Sequence, residues 1–157
     1  MAAALAVATQ SGSAQVPGAT TLSLYEPANA GSFRIVDNAP RSPVKNPESR
    51  KYRFSAGDEL IFSSPVLDKK GGSRVATLYA QATVVRGKTF PKVKTISHVV
   101  LVFNDGSQIN AEGAFGFTTD VRIAITGGTG TYVGARGQVV SHSNPDDSSQ
   151  DTITLLP

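Results

Sequence analysis

A glycine-rich stretch is the first part of the sequence whose residue types and spacing suggest chemistry. Gly127, Gly128, Gly130 and Gly134 follow a strand-like run that ends at Thr126. Nucleotide-binding enzymes place such glycines between a strand and a helix, where backbone N–H groups contact a phosphate. Here the residues after Gly134 predict a strand and no helix, although a dinucleotide-binding unit requires one. We therefore expect these glycines to allow tight turning and close packing between two strands.

The residue counts exclude several other kinds of site. The chain has no cysteine, so disulfides, thiol nucleophiles and cysteine-ligated metals are excluded. The two histidines, His98 and His142, are far apart in the sequence. No spacing between them and carboxylates such as Asp146 or Asp151 indicates a zinc site. We expect neither a metal nor an organic cofactor.

Charge and the N-terminal residues bear on partners and localisation. The net charge is +3, and the lysines and arginines are scattered, so we expect no nucleic-acid partner. No segment approaches the roughly 18 apolar residues of a membrane helix, so we expect no membrane contact. Residues 1–17 are typical either of the end of a secretory signal or of a flexible tail. The first alternative predicts a secreted or extracytoplasmic protein and the second a cytoplasmic one.

Residues 18–157 predict one all-β domain, because their apolar residues recur almost entirely with a period of two. The predicted strands span residues 20–26, 58–68, 73–87, 95–104, 107–117, 120–126, 134–143 and 149–157. A long loop, 27–51, contains one short strand-like piece at 33–36. An open meander of this length would leave two unpaired edges, so we expect an eight-stranded antiparallel up-and-down β-barrel. A two-sheet sandwich is the alternative.

The glycine-rich stretch also resembles the signature shared by plant dirigent proteins and allene oxide cyclases. Dirigent proteins carry a GGTG-aromatic-x-x-ARG stretch, to which residues 127–137 are similar. Allene oxide cyclases carry AITGG and GQV, which match residues 124–128 and 137–139, and their GDLVPF resembles GDELIF at 57–62. Weaker matches, among them Arg74-Val75 and Asn104-Asp105-Gly106, follow the same order, so the resemblance covers most of residues 20–157.

The resemblance implies an eight-stranded barrel that works through its lumen and commonly assembles as a trimer or dimer. A cyclase of this kind holds a small hydrophobic substrate folded for ring closure, and a dirigent protein orients reactive phenolic partners. The catalytic glutamate on the cyclases' first strand corresponds to Glu26. Ser64 and Ala82 stand where the cyclases have an asparagine and a cysteine, so the sequence departs from the cyclase pattern there.

The lumen can be anticipated from strand parity. If Glu26 points inward, Leu22 and Leu24 do so too, because alternate residues share a face. On the strand 73–87, either the face with Leu78 and three alanines points inward and leaves space, or the face with Tyr79 and Gln81 fills the barrel. We expect the alanine face, because it includes Ala82. The candidate ligand-binding residues are Leu24, Ser64, Leu78, Ala80, Ala82, Phe103 and Arg74, of which Arg74 would hold a substrate carboxylate at the rim.

Two functions remain open from the sequence. In the first, Glu26 acts as a general acid or base whose pKa is raised by burial, and the barrel is a cyclase or isomerase. The alternative for Glu26 is a carboxylate at a strand end that is paired with an arginine. In the second function, the barrel only binds and orients a small hydrophobic ligand, as a dirigent-like secreted module. If side chains filled the lumen completely, neither function would be possible.

Overall fold

The structure, a computed structural model, describes residues 17–46, 51–87, 89, 92–116 and 120–157. These residues form nine strands and one 3₁₀ turn, Gly130–Tyr132, and contain no α-helix. The strands are β1 Thr20–Glu26, β2 Ser32–Val36, β3 Glu59–Leu67, β4 Arg74–Arg86, β5 Lys94–Phe103, β6 Gln108–Gly116, β7 Asp120–Thr129, β8 Gly137–Ser143 and β9 Ser149–Leu155. Nearly all of the predicted tail lies outside the described residues, so the division into tail and domain stays a prediction.

The strands form one closed sheet, which confirms the predicted eight-stranded antiparallel barrel and excludes the sandwich. From β3 to β9 each strand pairs with the next along the chain, and β9 pairs with β1. A contact between β1 and β3 then closes the ring, at Tyr25 opposite Leu67. Alternation of apolar and polar residues places one face of each strand in the interior, because successive side chains point to opposite sides of a sheet.

The ninth strand, β2, is an addition to the barrel along the edge of β3. Residues 59–63 of β3 pair with β2, and Leu67 at the end of β3 pairs with β1. The two N-terminal strands therefore lie one after the other along the same edge. The short strand-like piece that the sequence shows at 33–36 is the part of the predicted loop that forms β2.

The two ends of the barrel are closed by different residues. We call the end with the β3–β4, β5–β6 and β7–β8 connections the upper end, and the opposite end the lower end. At the upper end Phe103 lies against Tyr132 of the 3₁₀ turn, with ring centroids 4.7 Å apart. At the lower end Tyr52 and Phe54, from the connection that leads into β3, are buried edge to face at 4.8 Å.

A buried carboxylate anchors this connection. Asp58 is fully buried and accepts hydrogen bonds from the backbone N–H groups of Asn38 and Ser55, at 2.9 and 2.8 Å, and from the Ser55 hydroxyl at 3.0 Å. Tyr52 and Phe54 can therefore pack firmly against Leu60 and its neighbours on the inner face of the sheet. This aromatic cluster fills the lower end beneath β3 and β4.

The glycine-rich stretch differs from its prediction. β7 continues through Gly127 and Gly128 to Thr129, instead of ending at residue 126. Asn110 and Ile109 of β6 pair with these two glycines, after a bulge next to Ala111, so the ladder extends beyond the expected turn. The turn itself begins at Gly130, where φ is +59°, a value that favours glycine.

Neither a membrane-spanning helix nor a metal-binding cluster occurs among the described residues. Within them, no helix has the length and apolarity to cross a membrane. The same residues contain no group of three or more His, Asp or Glu side chains arranged to hold a metal ion.

Candidate functional site

A cavity of about 230 Å³ lies inside the barrel, below the Phe103–Tyr132 contact. Its wall is mostly aliphatic and aromatic and comes from every strand of the barrel. The apolar lining residues are Leu24, Phe62, Leu78, Val99, Leu101, Ile109, Ala111, Phe115, Val121, Ile123, Val139 and Ile153. The polar lining residues are Glu26, Ser141, Ser143, Ser149 and Asp151. The polar residues all come from three adjacent strands, β1, β9 and β8, so one side of the cavity is polar and the remainder apolar.

Strand parity keeps the cavity open. β4 turns Ala76, Leu78 and Ala80 inward, whereas Tyr79 on the other face is 52% exposed. Ala111 of β6 also faces the lumen, where a larger side chain would occupy the space. A sheet closed by eight strands is just wide enough for one small ligand, provided that small side chains line it.

Two carboxyl groups meet on the polar side of the cavity. Asp151 of β9 lies opposite Leu24 of β1, and Glu26 lies opposite Ser149. Glu26 and Asp151 are therefore diagonal neighbours on the inner face, a separation that a glutamate side chain can bridge. Their side chains interact by a hydrogen bond.

The environment favours the protonated form of Glu26. Burial, followed by the negative charge of Asp151 and the hydrogen bond with it, raises the pKa of Glu26 from 4.5 to about 8. Hydrogen bonds from Ser64 and Ser149 act in the opposite direction and do not cancel this effect. Burial also raises the pKa of Asp151, opposed by hydrogen bonds with Ser141 and Glu26. The raised pKa values mean that the pair keeps a proton to a higher pH than two separate carboxyl groups would.

One oxygen of this pair has no partner on the protein. Asp151 is only 5% exposed, and its Oδ1 atom accepts no hydrogen bond from any described residue. No lysine, arginine or histidine is among the described residues that line the cavity. A buried carboxylate oxygen without a donor is costly, because it has lost its contact with water and gained nothing in return.

The structure brings four of the eight residues proposed from the sequence to this site. Glu26, Leu24 and Leu78 line the cavity, and the Ser64 side chain forms a hydrogen bond with the Glu26 carboxyl group. Their roles in binding or catalysis stay predictions. Ser64 is not itself part of the wall.

The other four candidates do not line the cavity. Ala82 is buried in the aromatic cluster at the lower end, and Ala80 lies between that cluster and the wall. Phe103 lies at the upper end against Tyr132. Arg74 is exposed, and its guanidinium group donates hydrogen bonds to Thr77 and to the Ala76 carbonyl oxygen. β4 is 13 residues long, and inward positions recur about every 7 Å along it, so a strand of this length extends well beyond the cavity at both ends.

Asp151 is the important residue that the sequence reasoning did not place in the lumen. Its neighbours on the same face, Ile153 and Leu155, are apolar, and this parity was the available signal. A single acid on the apolar face of a strand indicates a buried carboxylate with a special environment. The serines of β8 and β9 gave no signal, because serine is equally common on outward faces.

Both histidines lie on the outer surface, each next to a carboxylate. His142 Nδ1 is 2.6 Å from Asp120 Oδ1, and His98 Nε2 is 3.9 Å from Glu112 Oε1. All four side chains are more than half exposed, so these pairs contribute little to stability and are separate from the cavity.

Comparison with known proteins identifies the fold. No family model matches the chain, and no curated protein matches its sequence. Among solved structures, a pyocyanin demethylase superimposes with a TM-score of 0.62 and 19% identity, over 87% of this chain and 100% of the other. The pterocarpan synthase dirigent protein GePTS1 superimposes with a TM-score of 0.63 and 17% identity, over 87% of this chain and 83% of the other. AbnU, an exo-specific intermolecular Diels-Alderase, superimposes with a TM-score of 0.57 and 16% identity, over 87% of this chain and 97% of the other.

These similarities establish the architecture. The chain has the β-barrel fold of dirigent proteins and of cyclase barrels, as the resemblance of its glycine-rich stretch implied. The named proteins catalyse or direct quite different reactions within one fold, so the activity of this chain must be argued from its own cavity.

Proposed function

We propose that the barrel binds a compact, mostly apolar molecule in its cavity and directs a cyclisation or isomerisation of that molecule, with Glu26 as the proton donor. The observation that carries the proposal is the Glu26–Asp151 pair in the wall of an otherwise apolar cavity. Two carboxyl groups whose environments differ in this way are a common arrangement for acid–base chemistry near neutral pH.

The pair suits a reaction in which no proton is gained or lost overall. When Glu26 donates its proton to the substrate, its carboxylate is left beside the Asp151 carboxylate, and the two negative charges repel each other. The same carboxylate then regains a proton from another atom of the substrate as the product forms. An isomerisation or ring closure balances in this way, because one proton is added and one is removed.

The apolar wall would supply the rest of the catalysis. A flexible substrate confined in about 230 Å³ is held in a few folded conformations, which brings its reacting atoms together. The wall also keeps water from a cationic or otherwise reactive intermediate. The Ser64 and Ser149 hydrogen bonds hold the Glu26 side chain in one orientation.

The second candidate is a barrel that binds and orients its ligand without proton transfer. It is favoured by the excess of apolar residues in the wall, since these would fix a ligand's orientation by shape alone. The fold is shared with dirigent proteins, which supports this candidate as much as the first.

The two candidate functions differ in whether Glu26 transfers a proton to the substrate, and this can be measured. Compact allylic epoxides and conjugated ketones are incubated with the protein in heavy water, and NMR records ring closure and deuterium incorporation. We expect Glu26→Gln to lower the rate about 100-fold or more. The control is Glu112→Gln on the outer face, which should leave the rate unchanged. Full turnover by Glu26→Gln would contradict the acid role and favour the orienting barrel.

Assembly and localisation are separate proposals, of which the first rests on the family resemblance and the second on residues 1–17, which are typical of the end of a secretory signal or of a flexible tail. We propose that the barrel forms a homotrimer or homodimer and is exported. Light scattering coupled to size-exclusion chromatography tests the first proposal, and a monomer at micromolar concentration would contradict it. Fractionation of the producing cells tests the second.

A further inference from the structure

The charge balance of the cavity indicates what kind of ligand it accepts. Its wall contains two carboxyl groups, and the described lining residues include no lysine, arginine or histidine. Among the described lining residues no titratable side chain other than Glu26 and Asp151 occurs, and the polar neighbours of the pair are the hydroxyl groups of Ser64, Ser141, Ser143 and Ser149. When the pair carries a single proton, a net negative charge remains inside an apolar wall.

The hydrogen bonds of Asp151 are incomplete. Asp151 Oδ1 is buried, lacks a donor on any described residue, and belongs to a residue that lines the cavity. A buried carboxylate is stabilised strongly only by a partner that is both a hydrogen-bond donor and a cation. Within the described wall the protein supplies no such partner.

We propose that the ligand of this cavity is a compact apolar molecule with a cationic nitrogen, whose N–H group donates a hydrogen bond to the carboxylate of Asp151. The inference rests on the proposed function, since it assigns the substrate class of the same cavity. The cationic nitrogen would neutralise the carboxylate, and the hydrocarbon body would contact the aliphatic wall.

Other ligand classes fit less well. A neutral alcohol can donate to the Asp151 carboxylate but leaves the charge uncompensated. A ligand carboxylate would add a negative charge beside Asp151. The cation that the sequence suggested for such a carboxylate, Arg74, is exposed and does not line the cavity. A fused two-ring body is of a size that suits the cavity volume of about 230 Å³.

Four naphthalene probes with the substituent at the same ring position test the inference: naphthylmethylamine, naphthalenemethanol, methylnaphthalene and naphthoate. Their dissociation constants are measured at pH 7 by calorimetry with the whole chain. We expect the amine to bind about tenfold or more tightly than the alcohol, and the alcohol more tightly than the hydrocarbon. Naphthoate should bind most weakly. This ranking requires no variant and therefore does not depend on the folding of one.

A variant of Asp151 then tests whether this carboxylate causes the preference for the amine. Asp151→Asn should lower the affinity for the amine about tenfold and leave that for methylnaphthalene unchanged, which also shows that the cavity is intact. Glu112→Gln, an exposed acid, is the control for general electrostatic attraction.

The outcomes separate this inference from the proposed function. If the alcohol and the hydrocarbon bind as tightly as the amine, the cationic ligand is wrong and the cavity remains a site for a neutral substrate. If the amine preference survives in Asp151→Asn, the inference is equally wrong, because another group provides it. If none of the four probes binds, both the inference and the proposed function are overturned.

Discussion

The aspartates of this chain show how local environment sets the pKa of a side chain. In the turn after β5, the Ser107 hydroxyl and N–H groups donate to Asp105, and these bonds lower the pKa of the Asp105 carboxyl. Ser148 does the same for Asp146 in the turn after β8. Asp151, only a few residues further, has its pKa raised by burial. Hydrogen bonds from the protein decide the first two cases, and burial decides the third.

The carboxyl pair makes a prediction at this scale. In Asp151→Asn, the pKa of Glu26 should fall below its value of about 8, because the negative charge of Asp151 is removed. It should remain above 4.5, because burial is the largest cause of the increase. A ¹³C NMR titration of the Glu26 side-chain carboxyl in both proteins measures this. A wild-type pKa close to 4.5 would show that the side chain is solvated and would remove the basis for the acid role.

The candidate site could be predicted from the sequence only in part. Leu24, Glu26 and Leu78 follow from parity along two strands, once one residue is assumed to point inward. The partner of Glu26 could not be chosen in this way, because it depends on the register between β1 and β9, which are more than 120 residues apart. The depth of each inward residue along the barrel axis was also undetermined, so Ala82 and Phe103 were expected at the cavity although they lie near its two ends.

At the scale of single elements, β7 shows two glycines with different roles. A Cβ atom on Gly128 would lie 2.4 Å from the Tyr132 carbonyl oxygen and 2.5 Å from that of Gln108, whereas one on Gly127 would meet nothing within 4 Å. We expect Gly128→Ala to lower the free energy of unfolding by about 1–3 kcal/mol, through overpacking against backbone. Gly127→Ala is the matched control and should be neutral or slightly stabilising. Urea titration compares them, and equal effects would contradict the close packing at Gly128.

The aromatic cluster at the lower end makes a second prediction for an element. Phe54 is 3% exposed and packs against Tyr52, so Phe54→Ala should cost about 3–5 kcal/mol of unfolding free energy. Phe33→Ala on β2 is the control, because Phe33 is 55% exposed and should contribute little. Neither residue lines the cavity, so both folded variants should bind methylnaphthalene like the wild type. Loss of binding in Phe54→Ala alone would show that the cluster also supports the cavity.

Most strands could be predicted from the sequence, because alternation and turn residues are local signals. Asn104-Asp105-Gly106 marks the β5–β6 turn, and Gly106 has φ of +84° there. β2 was recognised only as a short strand-like piece, since its pairing with β3 is a tertiary contact across a long connection. The end of β7 was placed too early, because glycine usually ends a strand and here the ladder with β6 outweighs that preference.

For the molecule as a whole, the carboxyl pair determines how stability depends on pH. The folded protein keeps the Glu26 proton up to a pH of about 8, whereas the unfolded chain releases it near 4.5. Between these values the folded state binds more protons, so the free energy of unfolding falls as the pH rises, on the order of 5 kcal/mol in all. Asp105 and Asp146 have the opposite effect on stability below pH 3.8. Their pKa values are lowered in the folded state, so the stabilisation that they contribute is lost as the pH falls.

We therefore expect maximal stability at mildly acidic pH, close to the unfolded-state pKa of the buried acid. Chemical unfolding of the wild type and of Glu26→Gln at several pH values measures the effect. The variant should lose most of the decline between pH 4.5 and 8. An unchanged decline in Glu26→Gln would mean that other groups cause it.

The pairing of the first strand with the last has a consequence for biosynthesis. Among the described strands, β1 is translated first and its ladder partner β9 last. Until β9 leaves the ribosome, the nascent chain exposes one edge of β1 and one edge of β8, and both edges can associate with other chains. Glu26 and Asp151 also meet only then. The step that pairs β9 with these two edges is thus the same step that creates the carboxyl pair, so a nascent chain without β9 lacks the candidate site.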